Sequence, residues 1–283
     1  MATLAQILAL LAMAMATTAV DVIPLDMAPD SFDDQYRGCG PAMKAALPAL
    51  NHSEFQQNKE FAEVWVKAAA KWQSWGPPVS PVSPDQATAI MAFTMTDLRM
   101  IYLRTFNDAL CVARRSHQEY RDNFHFKTLH FLLTNALATL RDDQKGQCQG
   151  MFLNVCNAWY KAQRGDTVWF GEFMSVSQID TISSARCTML KVHMCHGVEI
   201  RNFTEFPDEK VVLIPLFETF KITQYTQEGD EIQIQLQSTE TYSKYNCEWL
   251  GGDTTGGSVP RAIFNLRGLL LATTALAVAT GIL

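Results

Sequence analysis

The chain has 283 residues, of which 48% are apolar, and its formal net charge at pH 7 is −6. This length and composition can supply a substantial core, either for one large domain or for two small ones. The acidic balance and the lack of a basic stripe exclude nucleic acid as an expected partner, because phosphate recognition depends on clustered Lys and Arg.

The N-terminal end carries a targeting pattern. Residues 4–19 form a short apolar run that ends in small residues. This is typical of a secretory signal peptide, and the run is too short to span a membrane. No basic residue precedes the run, and a buried N-terminal helix is the alternative interpretation. We expect residues 1–19 to be removed by cleavage near Ala16 to Ala19, so that the mature domain begins at residue 20.

The first half of the mature chain is predicted to be helical. Residues 21–39 are loop-rich and contain two prolines, which predicts an extended segment. The following stretch, about 40–146, predicts helices. Apolar residues recur at helical spacing over residues 61–72 and again over residues 126–140. We interpret both stripes as core-facing sides of helices. The first stripe consists of Phe61, Val64, Trp65, Ala68 and Trp72.

The second half, about 150–250, is predicted to be a β core. Two segments, residues 217–223 and 231–236, flank a polar turn at residues 227–230 and predict a hairpin. Helices followed by strands indicate an α+β chain rather than alternating βαβ units. No Rossmann Gly-x-Gly-x-x-Gly follows a predicted strand. Further strand segments are indicated by Val168, Phe170, Phe173, Leu190 and Val192.

The C-terminal end resembles a lipid-attachment signal. Three small residues are followed by a spacer and then by an uncharged apolar tail, residues 269–283, with no basic residues after it. This is the pattern of a GPI signal, whose tail is removed, whereas a transmembrane anchor is normally longer and flanked by Lys or Arg. We expect residues 251–283 to form this signal and attachment to occur at Gly256, Gly257 or Ser258. Secretion without an anchor is the alternative.

Two further patterns fit a chain in the secretory route. Asn51-His52-Ser53 and Asn202-Phe203-Thr204 are glycosylation sequons, so Asn51 and Asn202 are candidate glycan acceptors. The seven cysteines indicate disulfides, with at least one thiol free or paired between chains. No Cys-x-x-Cys pair occurs, and we expect no metal site.

Five segments in order along the chain carry a recognisable family pattern: residues 24–36, Phe124 to Phe131, Cys195-His196-Gly197-Val198, Val212-Leu213-Ile214-Pro215 and Ser243-Lys244-Tyr245-Asn246-Cys247. Together they resemble the vertebrate arginine-specific mono-ADP-ribosyltransferases, which move ADP-ribose from NAD to protein arginines. The resemblance implies the ADP-ribosyltransferase fold over residues 20–250, with a helical N-terminal part packed on a mixed or antiparallel β core. It also implies NAD as substrate and extracellular protein arginines as acceptors.

The same resemblance implies a disulfide pattern. Cys39 would pair with Cys247 to join the two ends of the domain, and Cys148 would pair with Cys195 within the core. Cys111, Cys156 and Cys187 are left over, and Cys156 with Cys187 is a candidate third bridge. His193 and His196 flank Cys195, and since a disulfide-bonded cysteine cannot act as a nucleophile, we interpret both histidines as ordinary strand and turn residues.

The family's chemistry rests on an arginine that clamps the pyrophosphate, a serine that positions the ribose, and a glutamate that stabilises an oxocarbenium-like transition state. In this chain the serine position is Ser175, within Phe173-Met174-Ser175-Val176-Ser177. The arginine position falls on Leu153 and the catalytic glutamate position on Val211. Glu209, the family position associated with presenting the acceptor arginine, is retained.

Three charged residues are candidates to substitute for the family arginine and glutamate. Lys161 and Arg164 are near Leu153 in sequence, but a solvated loop beside Gly165 is the better interpretation of both. On a strand, Glu209 shares a face with position 211 but lies roughly 6–7 Å away, too far to reach the same ribose hydroxyl. The family's Phe-Gly, which lines the nicotinamide pocket, is replaced here by Ser183-Ser184-Ala185-Arg186.

Losing one preorganised charged group typically costs about 10²–10³ in rate. The combined losses therefore predict a family member with activity near background. Two hypotheses follow: an arginine-specific transferase that is weak or inactive, or a GPI-anchored pseudoenzyme that acts as a binding or decoy protein at the cell surface. Without the pyrophosphate clamp, we expect no stabilisation by NAD.

Overall fold

The computed structural model describes the backbone of residues 21–27, 31–76, 80–95, 99–156, 158–178, 187–204, 207–208 and 210–251. Several sequence predictions lie outside these residues: the signal peptide, the GPI signal with Gly256, Gly257 and Ser258, the retained Glu209, and the 183–186 segment.

The N-terminal half of the described chain consists of helices, as predicted. Both predicted apolar stripes are buried, on α2 (Lys59–Ser74) and α6 (Lys127–Asp143). Burial of α6 extends round most of its circumference, which is the behaviour of a central helix. In chain order the helices are α1 (Gly40–Gln57), α2 (Lys59–Ser74), α3 (Pro84–Thr94), α4 (Arg99–Ala113), α5 (His117–Asn123) and α6 (Lys127–Asp143).

Polar side chains fix where these helices begin. Ser83 and Gln86 form a reciprocal capping box at the start of α3. The start of α6 is capped from another helix, because the Glu54 carboxylate of α1 accepts hydrogen bonds from the backbone N–H groups of Lys127 at 2.6 Å and Thr128 at 3.0 Å. Negative charge at a helix N-terminus is favourable, so this contact ties α1 to the central helix.

The C-terminal half is a mixed β structure, which confirms the α+β class. The strands are β1 (Asp21–Pro24), β2 (Gln149–Cys156), β3 (Ala158–Lys161), β4 (Thr167–Trp169), β5 (Met174–Ser177), β6 (Cys187–Met194), β7 (Val198–Glu199), β8 (Val211–Ile214), β9 (Glu218–Glu228) and β10 (Glu231–Thr241). An eight-stranded sheet has the order β4-β9-β10-β6-β2-β5-β8-β7, and β1 pairs in parallel with β3 in a separate two-stranded sheet. Within the large sheet β10 and β6 are parallel, and the other pairs are antiparallel.

The predicted hairpin is confirmed as β9 and β10, with Gly229 at φ 59° in the turn. One strand prediction is wrong in extent. β4 ends at Trp169, so Phe170 and Phe173 lie in the connection to β5 rather than in a strand. Gly171 in this connection has φ 70°, a conformation that glycine adopts without strain and that turns the chain between β4 and β5.

Strand β8 is buried on both faces. Val211 and Leu213 pack in a cluster formed mainly by the helices, whereas Val212 and Ile214 pack in a second cluster between the strands. A strand covered on both sides has a continuous apolar sequence instead of alternating apolar and polar residues. This explains the uninterrupted Val-Val-Leu-Ile run, and it places β8 between the two cores.

Three disulfides link the described chain. The two implied by the family resemblance are present: Cys39–Cys247, with a Cα–Cα distance of 6.1 Å, and Cys148–Cys195. Cys156 and Cys187 form the third bridge, and they lie directly opposite each other at the end of the β2–β6 ladder. Cys111 is the cysteine that stays free, and it is exposed.

Candidate active site

The strand register brings the predicted serine position and the predicted glutamate position together. On β5 and β8, Ser175 lies opposite Leu213, and Ser177 lies opposite Val211. Residues directly opposite in an antiparallel pair project to the same face. Ser175, Ser177 and Val211 therefore share one face of neighbouring strands, the face that is directed to the helices.

Val211 cannot supply the chemistry expected at its position. Its side chain is only 9% exposed and belongs to the helical apolar cluster. A valine has neither a charge nor a hydrogen-bonding group with which to stabilise a developing cation or hold a ribose hydroxyl. Ser175, by contrast, is half-buried and keeps a hydroxyl at the predicted serine position.

Leu153 lies on the other face of the sheet. Its neighbour Phe152 is opposite Ser177, and consecutive strand residues alternate between faces. Leu153 accordingly packs at the edge of the inter-strand cluster, opposite Leu190 of β6. The register does not bring Leu153 onto the face that Ser175 and Val211 share, although its half-buried position leaves part of the side chain accessible.

The two cations considered as replacements at the predicted arginine position are exposed to solvent. Lys161 is exposed at the end of β3, and Arg164 is exposed in the following turn beside Gly165, whose φ is 96°. His193 is also exposed and pairs with Gln237. Burial, followed by the nearby charge of Arg141, lowers the pKa of His196 to about 4, so this imidazole is neutral at physiological pH.

Glu172 is a titratable group that the sequence pattern did not single out. It lies in the β4–β5 connection, three residues before Ser175, and accepts a hydrogen bond from the side-chain amide of Asn107 on α4. Burial raises the pKa of the Glu172 carboxyl to about 7, although the Asn107 bond opposes this rise. The only signal in the sequence was an acidic residue between Gly171 and Phe173, because its burial depends on a distant helix.

This carboxyl gives a pH prediction. The pKa of Glu172 is about 7 in the folded chain against its ordinary value of 4.5, so the folded state retains a proton that the unfolded state loses. The free energy of unfolding contributed by this group is therefore largest below pH 4.5 and falls as the pH rises through 7. In urea unfolding between pH 5 and pH 7, we expect the free energy of unfolding of Glu172→Gln to decline less steeply than that of the unsubstituted protein. Parallel slopes for the two proteins would contradict the prediction.

No group of three or more His, Cys, Asp or Glu side chains within the described ranges is arranged to hold a metal ion. Of the predicted site, Ser175 carries a hydroxyl, while Val211 and Leu153 offer only apolar surface.

Comparison with known proteins decides the family. The sequence model of the family described as NAD:arginine ADP-ribosyltransferase matches residues 25–244. The chain belongs to this family. The family assignment made from the sequence is confirmed, and the match spans both the helical half and the β core.

Relatives agree with this assignment. The chain is 43% identical over 233 residues to the erythroblast NAD(P)(+)--arginine ADP-ribosyltransferase of Gallus gallus, covering 81% of this chain and 76% of that protein. It is 40% identical to GPI-linked NAD(P)(+)--arginine ADP-ribosyltransferase 1 of Mus musculus, covering 88% and 82%.

The fold agrees as well. The crystal structure of the eukaryotic mono-ADP-ribosyltransferase ART2.2 matches with a TM-score of 0.64 and 29% identity, covering 80% of this chain and 98% of that one. A glutamate-to-isoleucine variant of the same enzyme, solved in complex with NAD, matches with a TM-score of 0.65 and 28% identity, again covering 80% and 98%.

Proposed function

We propose that this protein is a cell-surface member of the arginine-specific mono-ADP-ribosyltransferase family in which transfer from NAD is weak or absent. The observation that carries the proposal is Val211. It occupies the strand position expected for the catalytic glutamate, shares a face with Ser175, and is packed among apolar side chains. Transition-state stabilisation by a preorganised charge has no source at this position.

Nucleotide binding and transfer are separate questions. In ART2.2, a variant with isoleucine in place of one glutamate was solved with NAD. An aliphatic substitution of a glutamate is thus compatible with NAD binding in that relative. For the present chain we infer that binding is also weakened, because Leu153 replaces the arginine that would clamp the pyrophosphate in a planar, bidentate fashion.

Placement at the cell surface is part of the proposal. Three disulfides favour an oxidising compartment. Relatives from mouse, rabbit and human are named as GPI-linked. None of the described helices is long and apolar enough to cross a membrane. We infer that residues 1–19 are cleaved and that a GPI anchor at Gly256, Gly257 or Ser258 replaces the tail; a secreted form is the alternative.

If residual transfer exists, the family assignment points to arginines of extracellular proteins as acceptors. The second candidate function is that of a pseudoenzyme acting as a binding or decoy protein. It is favoured because β8 differs from the family pattern at one position only. The Val212-Leu213-Ile214 run, which packs in the two cores, matches the family, whereas Val211 stands where the family has a carboxylate.

A transfer assay tests the proposal. The mature protein is incubated with labelled NAD and agmatine, a small arginine analogue, beside the chicken erythroblast relative as a positive control. We expect label on agmatine at the level of a no-protein control for this chain and well above it for the relative. Transfer at a rate comparable to that of the relative would overturn the proposal.

A thermal shift with NAD measures binding independently. A ligand that binds only the folded state stabilises it by RT ln(1 + L/Kd), where L is the ligand concentration, and so raises the melting temperature as L exceeds Kd. We expect no shift at NAD concentrations that stabilise the chicken relative. A clear rise in melting temperature with NAD but no transfer to agmatine would support the proposed loss of catalysis and would contradict the inference that NAD binding is weakened.

A further inference from the structure

A groove with a volume of about 750 Å³ lies at the end of α6, beside the start of β2 and the 3-10 turn Arg201–Phe203. Ser175, Leu153 and Val211 are not among the described residues that line it, so it is distinct from the candidate active site. Its size is within the range of roughly 300–1,000 Å³ that is usual for small-ligand sites. The lining is mainly polar and includes Gln147, Gln149, Asn202 and Lys210.

The walls of this groove are held in place. The Gln144 side-chain amide donates to the Glu199 carbonyl at 2.8 Å and accepts from the Glu199 backbone N–H at 3.0 Å, which ties the end of α6 to β7. Arg201 forms an ion pair with Glu199 at 2.9 Å. A groove with fixed polar walls can hold a hydroxyl-rich ligand without first having to be ordered.

The two sequons differ in their structural setting. Asn202 is exposed on the 3-10 turn, and the residues that follow it are anchored inward: Phe203 is buried and stacks on Trp72 with ring centroids 5.4 Å apart, and Thr204 is buried. Asn51 lies inside α1 and is half-buried, with a side-chain oxygen that is buried and has no hydrogen-bond partner among the described residues.

We propose that Asn202 carries an N-linked glycan whose first sugars lie in this groove, and that Asn51 stays unmodified. The Asn202 amide nitrogen Nδ2 attacks the anomeric carbon of an oligosaccharide donor linked to a lipid pyrophosphate. A carbon–nitrogen bond forms, the carbon–oxygen bond to the pyrophosphate breaks, the nitrogen loses one proton, and the lipid pyrophosphate leaves.

The groove suits these sugars because Asn202 is itself part of its lining. Saccharide hydroxyls both donate and accept hydrogen bonds, and the amides of Gln147 and Gln149 can do the same. The glycan would cover Lys210, the half-exposed residue that directly precedes Val211. The attached sugars therefore shield the surface next to the strand that holds the substituted glutamate position.

The test of attachment uses the full chain expressed in mammalian cells and recovered from the cell surface or the medium. This inference rests on the proposed secretory route, so an unmodified chain retained inside the cell with free thiols would overturn that assignment and this proposal with it. For recovered protein, we expect Asn202→Gln to lose one glycan by intact mass and Asn51→Gln to keep the mass of the unsubstituted glycoprotein. A glycan that persists in Asn202→Gln, or disappears in Asn51→Gln, would overturn the assignment.

The position of the sugars needs a second readout. Lys210 is labelled with an amine-reactive ester before and after enzymatic removal of the glycan, with the exposed Lys67 of α2 as an internal control. We expect the extent of Lys210 labelling to rise several-fold on deglycosylation while Lys67 is unchanged. Equal labelling of Lys210 in both states would show that the glycan projects into solvent and would overturn its placement in the groove.

Discussion

Replacing both Cys39 and Cys247 by serine is expected to destabilise the protein more than removing either of the other disulfides. This bridge spans a sequence separation of 208 residues, compared with 47 and 31 for the others. In the chain-entropy description, a loop of that length restricts the unfolded chain by about 5 kcal/mol, and a 31-residue loop by about 3–4 kcal/mol. We therefore expect the largest fall in the free energy of unfolding for the Cys39→Ser/Cys247→Ser variant.

The contacts around this disulfide explain what it secures. The Asp34 carboxylate accepts hydrogen bonds from the backbone N–H groups of Tyr36, Cys247 and Glu248 at 2.7, 2.9 and 2.8 Å. Asp33 accepts from the backbone of Lys244 at 2.7 Å and of Tyr245 at 3.0 Å. The chain before α1 and the chain after β10 are thus joined by buried carboxylates as well as by sulfur, and the fold is closed at this point.

The energetic cost of these carboxylates makes the covalent link more important. Burial raises the pKa of Asp34 above its ordinary value, and burial likewise raises the pKa of Asp33 to about 7. At neutral pH, both groups are held where the charged form is penalised. Cys247 also has φ 60°, a left-handed conformation that is uncommon for residues other than glycine. Once the disulfide is lost, these unfavourable terms favour separation of the two chain ends.

The stability prediction is checked by urea unfolding of three variants. Cys156→Ser/Cys187→Ser is the matched control with a short loop, and Cys111→Ser is the control for loss of a thiol, because Cys111 is free. We expect stability to decrease in the order Cys111→Ser, Cys156→Ser/Cys187→Ser, Cys39→Ser/Cys247→Ser. An equal or smaller loss for the last variant would contradict the idea that the long loop dominates.

Local periodicity predicted much of the fold. The stripe over residues 61–72 gave α2, and the alternation over residues 231–236 gave the second strand of the hairpin. These features depend on neighbours a few residues apart, which a sequence displays directly. The prediction that Phe170 and Phe173 belong to strands was wrong, because closely spaced apolar residues look like a strand in sequence. The positive φ of Gly171, which turns the chain between them, is not visible there.

The order of strands depends on distant contacts and had no local signature. Glu209 is outside the described residues, so the prediction that it shares a face with position 211 stays a prediction. The face on which Leu153 lies follows from a single pairing, between Phe152 and Ser177. Nothing near Leu153 in sequence indicates that pairing. Similarly, the raised pKa of Glu172 arises from burial and is moderated by Asn107, which is 65 positions away.

The site residues themselves came from the family resemblance. Cys39–Cys247 and Cys148–Cys195 were implied in this way and are present. Cys156–Cys187 was only a candidate from the sequence, and the pairing of β2 with β6 is what brings these two cysteines together. The resemblance identifies which positions correspond to the family's site residues, but it does not show the surroundings of the side chain at each position. At the predicted glutamate position the side chain is a valine packed into a core, so a carboxylate there would differ from it in solvation as well as in charge.

Introducing an arginine and a glutamate at the two predicted family positions is expected to produce activity. In the double variant Leu153→Arg/Val211→Glu, a carboxylate is placed beside Ser175 for the ribose, and the flexible arginine side chain must extend from the opposite face of the sheet to reach the pyrophosphate. Each missing charged group typically accounts for about 10²–10³ in rate, so we expect transfer to agmatine to rise by at least that factor over the unsubstituted protein. Leu153 is half-buried, and the long arginine side chain can keep its stem on the apolar cluster while its charged end reaches solvent.

A glutamine at position 211 supplies the control. Val211→Glu places a carboxyl group in the helical apolar cluster, so the melting temperature of the variant should fall. Glutamine is nearly isosteric with glutamate, so Val211→Gln should lower the melting temperature by most of the same amount, but it has no charge. Leu153→Arg/Val211→Gln should therefore fold like the double variant yet stay at background in the agmatine assay. If Leu153→Arg/Val211→Glu is folded and equally inactive, these two substitutions are not sufficient for transfer, which would contradict the prediction.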